Sequence, residues 1–161
     1  MFDPRGGKIS DVCIVDCSLS SFLTPLLVGS RGPVSKVRIR GGRTATVHSR
    51  FMETFPVSDG GCSHWVVSDH QVTGKFADSV YPVMLFDMRN FTMMRCRFTP
   101  TGASSGGIPG FVNLMSCGGE FVFIDNDFGS GVNVNVRYRS MSPKCDLQVH
   151  APGATLDESA W

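Results

Sequence analysis

The sequence predicts an all-β solenoid of about six coils, with three short parallel sheets around one core. A spaced eight-residue pattern, a second set of apolar runs between its copies, and the near absence of helical periodicity carry that expectation. The clearest copy of the pattern is Phe121-Val122-Phe123-Ile124-Asp125-Asn126-Asp127-Phe128. Phe121 and Phe123 alternate with their neighbours and so share one side of a strand. Asp125 and Asn126 tolerate left-handed backbone and bond locally, which turns the chain. Phe128 then returns to the apolar side.

Copies of this pattern start at residues 12, 37, 65, 91 and 121, so the spacings are 25, 28, 26 and 30. The earlier four read ValCysIleValAspCysSerLeu, ValArgIleArgGlyGlyArgThr, TrpValValSerAspHisGlnVal and PheThrMetMetArgCysArgPhe. Among the key positions of all five copies, Thr44 alone is not apolar. One more step of 26 reaches Leu147-Gln148-Val149, a degenerate sixth copy. A strand unit that recurs at such a spacing cannot bury its own face alone, and it does so by stacking on its neighbours.

Taken in order, residues 1–8 are expected as an N-terminal arm, residues 9–154 as the solenoid, and residues 155–161 as an irregular, acidic C-terminal tail. The first coil opens with a strand at 12–15, a turn, and a second short strand around 18–20. Apolar runs at 24–28, 51–57, 81–86, 111–115 and 132–138 lie between the copies and are read as each coil's third strand. A coil of about 27 residues then holds three strands and three turns. Loops should leave the coils at 58–61 and 100–109, where Gly and Pro cluster.

The chain of 161 residues is enough for one domain. With a net charge of +1, it carries no electrostatic footprint for nucleic acid. No apolar run is long enough to span a membrane, and the first residues lack the apolar core of a signal peptide. The expectation is folding in a cytoplasm. The six cysteines at 13, 17, 62, 96, 117 and 145 form no CxxC pair and no zinc spacing. Cys17 and Cys96 occupy equivalent places three coils apart, about 14 Å, too far for a disulfide. Free thiols are the expected state, with a Cys117–Cys145 pairing left open.

The turn-flanked runs ValCysIleValAspCysSerLeu, PheThrMetMetArgCysArgPhe and PheValPheIleAspAsnAspPhe give the chain a pattern that resembles the single-stranded right-handed parallel β-helix of the pectin-lyase-like superfamily and of bacteriophage tail spikes. The resemblance covers residues 9–154. It implies right-handed coils, and phage β-helix proteins are typically trimers, so it also implies a homotrimer.

Equivalent positions in a solenoid stack into columns. The inward columns are Val12, Val37, Trp65, Phe91, Phe121 and Ile14, Ile39, Val67, Met93, Phe123, which form the core. The turn columns contain Asp16, Asp69, Arg95, Asp125 and Asn126, read as a structural ladder; Arg95 would separate the acids above and below it. His70 and Cys96 are neighbours in the second turn column, but no third metal ligand is evident and no metal or other cofactor is expected. The outward positions of the repeat strand should be polar, yet Val15, Val66, Met94, Val122 and Ile124 are apolar. A contiguous apolar patch on a soluble protein marks an interface, so these five residues are the expected subunit contact; burial under the N-terminal arm or the C-terminal tail is the alternative.

Catalytic groups are scarce. Polysaccharide hydrolysis on such a fold generally uses paired carboxylates, and Glu53 and Asp87 are the least unsuitable candidates. The leading expectation is a non-enzymatic virion protein, assembled in the host cytoplasm, that decorates a capsid or forms a spike or fibre with other virion proteins. Two readings stand beside it: a tail-spike module that binds or cleaves a host surface glycan, and a β-helix domain of a longer cellular enzyme.

Overall fold

Alternation of apolar and polar residues, broken at fixed places by turn formers, winds this chain into stacked coils. The computed structural model describes residues 7–21, 24–28, 32–46, 50–55, 61–75, 81–101, 111–128, 135–139 and 146–158. Residues 1–6 of the expected arm, residues 58–60 and 102–109 of the expected loops, Cys145 and residues 159–161 lie outside the described residues.

Three parallel sheets form the walls of the solenoid. The long sheet contains β1 (Ile9–Val15), β4 (Val34–Arg40), β7 (Cys62–Ser68), β10 (Met88–Met94), β13 (Gly118–Ile124) and β15 (Gln148–His150), in that order. The second sheet holds β2 (Ser18–Ser21), β5 (Arg43–Thr46), β8 (Gln71–Gly74) and β11 (Arg97–Pro100). The third holds β3 (Leu26–Val28), β6 (Met52–Thr54), β9 (Val83–Phe86), β12 (Val112–Met115), β14 (Asn135–Arg139) and β16 (Thr155–Glu158). Each strand pairs only with its counterparts one lap before and one lap after. We number the laps coil 1 to coil 6.

The inward columns stack in register. Val12, Val37, Trp65, Phe91, Phe121 and Val149 succeed one another, as do Ile14, Ile39, Val67, Met93 and Phe123. Phe91 and Phe121 stack with ring centroids 6.3 Å apart. Where the second and third sheets meet, Phe98 lies 4.4 Å from Phe111 and 5.6 Å from Phe128, centroid to centroid, with Phe51 5.7 Å away. Rings of this size each remove a large apolar area from water, so this corner and the long-sheet column dominate the packing energy.

Four features differ from expectation, each for an identifiable reason. Four coils carry all three strands; coil 5 joins the second sheet only through an Arg97–Asp127 bridge, and coil 6 contributes no strand to it among the described residues. The solenoid is therefore shorter on that side than six full coils. In the sixth copy Val149, not Leu147, lies under Phe121, so the last step is 28 residues rather than 26. The expected tail begins with β16, whose backbone pairs in parallel with β14; ladder bonding rather than local composition decides that segment. The fourth difference concerns the long strands, which begin three residues earlier than the repeat suggests.

In β1, β4, β7 and β10 the residue just before the inward aromatic or aliphatic residue is left-handed: Asp11, Lys36, His64 and Asn90 have positive φ, and in β13 Gly119 does, two residues before Phe121. A residue in that conformation bends the strand and lets an apolar position three residues upstream face inward as well. Val34, Cys62, Met88 and Cys117 occupy that third inward column, all buried. In coil 5 one residue is added, so that Arg89 pairs with Gly118 while Phe91 pairs with Phe121. This bulge accounts for part of the long 30-residue step, and Gly119 takes the strained place in it.

Asn126, Thr44 and His70, polar side chains set between coils, each find hydrogen-bond partners. Asn126 accepts from the Cys96 amide at 3.0 Å and donates to the Met93 carbonyl at 3.0 Å. Thr44, the one polar residue in the repeat's apolar set, is buried and lies 2.7 Å from His70 Nε2. His70 Nδ1 lies 2.6 Å from the Gly41 carbonyl. A carbonyl only accepts, so Nδ1 carries the proton and Nε2 accepts from the threonine hydroxyl. His70 also stacks on Phe51 at 5.5 Å. Burial holds its pKa below the ordinary histidine value. Because the unfolded chain binds the extra proton more readily, the neutral ring's stabilisation is complete above about pH 6.5 and declines as pH falls towards the lowered folded value. His70→Gln should remove this component of acid sensitivity, measured as the difference in denaturant midpoint between pH 7.5 and pH 5; an unchanged difference would exclude His70 as its source.

Candidate interaction face on the long sheet

The bend in each long strand folds its outer surface into a groove that runs across the coils, with a volume of about 680 Å³. Its rim is the left-handed column: Asp11, Lys36, His64 and Asn90, followed by Glu120 beside the coil 5 bulge. Its floor is the next outward column, Cys13, Arg38, Val66 and Thr92, with Val12 and Trp65 behind. The rim is internally bonded. Lys36 reaches Asp11 at 3.6 Å, Asn90 Nδ2 lies 3.2 Å from His64 Nε2, and the Glu120 amide donates to Asn90 Oδ1 at 3.0 Å. Glu120 Oε1 lies 3.8 Å from His150 Nε2.

Beside the groove lies the second outward column, Val15, Arg40, Ser68, Met94 and Ile124. Val15 is 42 % exposed and Ile124 40 % exposed. Val66, Met94 and Val122 are half-buried. The apolar side chains thus cluster on coils 3 to 5, and coil 2 interrupts them with Lys36, Arg38 and Arg40, all exposed. By contrast, the outward positions of the second sheet and its extension, Ser18, Arg43, Gln71, Arg97 and Asp127, are polar and exposed.

The turn that follows each long strand is left-handed at Asp16, Gly41, Asp69, Arg95 and Asp125. Arg95 clamps Asp69 with two bonds, Nε to Oδ1 at 2.7 Å and Nη2 to Oδ2 at 3.0 Å. The guanidinium holds the Asp69 carboxyl below the usual range, but both side chains are exposed, so the pair adds little to stability.

Glu53 and Asp87 lie away from this groove. Glu53 sits on β6 in the third sheet, buried, with both carboxylate oxygens 3.0 Å from Arg50 Nη1. Asp87 occupies the left-handed corner between β9 and β10. Met84 pairs with Glu53, and Asp87 follows Met84 by three residues on the next coil. Strand geometry therefore separates the two backbones by about 11 Å.

Cys13 and Cys17 are exposed thiols, whereas Cys62 and Cys96 are buried. Burial pushes both buried thiols up to about 11, so they stay protonated and act as small apolar fillers. Cys117 donates to the Leu85 and Met115 carbonyls at 3.4 Å each, and Cys145 lies outside the described residues. His70 and Cys96 do not converge with a third ligand; among the described residues no three His, Cys, Asp or Glu side chains form a metal-holding group. No helix among the described residues is long and apolar enough to cross a membrane.

The repeat exposed the flat half of this face but missed the groove. The missing signal was present in the first four copies: apolar residues at the third position before the anchor, as in Val34 before Val37, Cys62 before Trp65 and Met88 before Phe91. An offset of three in a strand, where two is normal, marks a bend. No protein-family model, no curated protein and no solved structure matches this chain. The fold and its surface define the class: a parallel β-solenoid with a grooved, partly apolar long sheet.

Proposed function

We propose that this chain is a non-enzymatic structural protein of a virion, of the bacteriophage kind. It acts as a capsid decoration or as a spike or fibre subunit, and it works by self-association through the outer face of its long sheet. Apolar side chains at outward positions of that sheet carry the reading, with Val15 and Ile124 the most exposed of them. Water solvates such a face poorly, and covering it with a second copy removes that cost. The carboxylates with any claim to catalysis support the non-enzymatic part, since Glu53 is buried against Arg50 and neither it nor Asp87 lines the groove.

Val122→Lys and Met94→Lys each place a charge in the middle of the proposed contact without entering the core. Each should convert the assembled protein to a single-chain particle in light scattering while its far-ultraviolet spectrum stays that of a β-protein. A wild-type protein that is already a single chain would remove the interface.

A second reading rests on the groove itself. A rim of Lys36, His64, Asn90 and Glu120 offers donors and acceptors at successive coils, the kind of row along which an extended host surface glycan is held. Retention of the protein on immobilised polysaccharide, abolished by His64→Ala with Asn90→Ala, would favour that reading over self-association.

A further inference from the structure

The charges on the long sheet are sorted by coil. Coil 2 presents Lys36, Arg38 and Arg40 outward, and coil 5 presents Glu120 and Asp125. Four arginines are answered within the chain: Arg50, Arg89, Arg95 and Arg97 each reach a carboxylate within 3.2 Å. Lys36 is partly answered by Asp11. Arg38 and Arg40 have no hydrogen bond or ion pair among the described residues, and they act on Asp11 and Asp69 only at longer range. Stacking places Cys13 and Val66 on either side of Arg38, and Val15 and Ser68 on either side of Arg40. Asp125 likewise has no hydrogen bond or ion pair among the described residues. Asp16, on coil 1, is the one further acid bordering the basic row.

We infer that the long sheet pairs with the long sheet of a second copy in antiparallel fashion, with coil 2 of each chain against coil 5 of the other. This rests on the proposal that the outer face is a self-association surface, and it specifies how that surface closes. A two-fold axis lying along the strands, between coils 3 and 4, preserves position along each strand and inverts the order of the coils. Arg40 then meets Ile124 of the second copy beside Asp125, and Arg38 meets Val122 two residues from Glu120. Coils 3 and 4 face each other, which sets Val66 against Thr92 and Ser68 against Met94.

No like charges oppose one another in this arrangement. Side-by-side prisms with their coils at equal height, whether in a pair or around a threefold axis, would instead bring the coil 2 arginines of the copies together and the coil 5 acids together. Like-charge juxtaposition of that kind suppresses association. The face spans six strands and about seven residues, so each copy would cover about 600 Å² and the pair about 1,200 Å², the lower end of stable interfaces. The two grooves lie over one another, and their polar rims remain hydrated within the contact.

Two double variants test this. Arg38→Glu with Arg40→Glu makes coil 2 acidic, and Glu120→Lys with Asp125→Lys makes coil 5 basic. Each variant alone should associate about 100-fold more weakly than the wild type. Mixed in equal amounts, they should form a particle containing one chain of each, because both contacts of the pair are then complementary. Native mass spectrometry reads the composition, and far-ultraviolet spectra with thermal melts confirm that each variant is folded. Should a variant fail to fold, the single variants Arg40→Glu and Asp125→Lys, mixed in the same way, read the same contact. A wild-type assembly of two chains with rescue in the mixture supports the antiparallel pair. A wild-type assembly of three chains, or folded variants that do not rescue one another, overturns the arrangement while leaving the face as an interface. A single-chain wild type overturns both.

Discussion

Phe98→Ala should lower the unfolding free energy by about 3–5 kcal/mol. Phe98 is fully buried at the corner where three further rings converge, Phe51, Phe111 and Phe128. Those rings belong to different coils and are held by backbone ladders, so the corner closes little around the missing ring. A domain of this size has a total stability of about 5–15 kcal/mol, so the variant should melt at a much lower temperature or fail to fold at all. Urea unfolding followed by tryptophan fluorescence measures the loss. A change below about 1 kcal/mol would mean that the corner repacks freely, against the picture of a rigid core.

Gly42→Ala should be comparably damaging for a different reason. Gly42 has a φ of +74°, and a Cβ added there would run into the carbonyl oxygen and amide nitrogen of Cys17 in the preceding coil. Backbone atoms of a paired coil cannot swing aside as a side-chain tip does. The left-handed conformation and the clash together should cost at least about 3 kcal/mol. Gly153 supplies the control: its φ is +79°, but nothing lies within 4 Å of the added carbon. Gly153→Ala should therefore cost only the conformational penalty, about 1–2 kcal/mol. Equal losses in the two variants would show that coil-to-coil approach at Gly42 is not the limiting contact.

The coil pattern was legible because a parallel solenoid repeats its constraints. Trp65, Phe91 and Phe121 sit at equal offsets from their turns, and the ladder pairs them in the same order. What remained hidden depends on distant pairing or on unusual backbone. Thr155–Glu158 has no strong local preference and becomes a strand because β14 offers it a free edge. The bulge at Gly119 and Glu120 is visible only as a longer spacing, which a loop would also produce. The groove was missed because Lys36, His64 and Asn90 are ordinary polar residues whose positive φ a sequence does not announce. Glu53 was singled out for its carboxylate, whereas its partner Arg50, three residues earlier, decides what that carboxylate does.

Each strand is hydrogen-bonded only to its counterparts in the coil before it and the coil after it. The backbone bonds that join them run nearly along the stacking direction. A tensile load between the two ends is therefore carried by one boundary at a time, and the molecule should yield in a series of small steps, each releasing a single lap of chain. Compression across the walls meets close-packed rings instead. The fold is stiff to crushing and compliant to pulling, an anisotropy that follows from its winding alone.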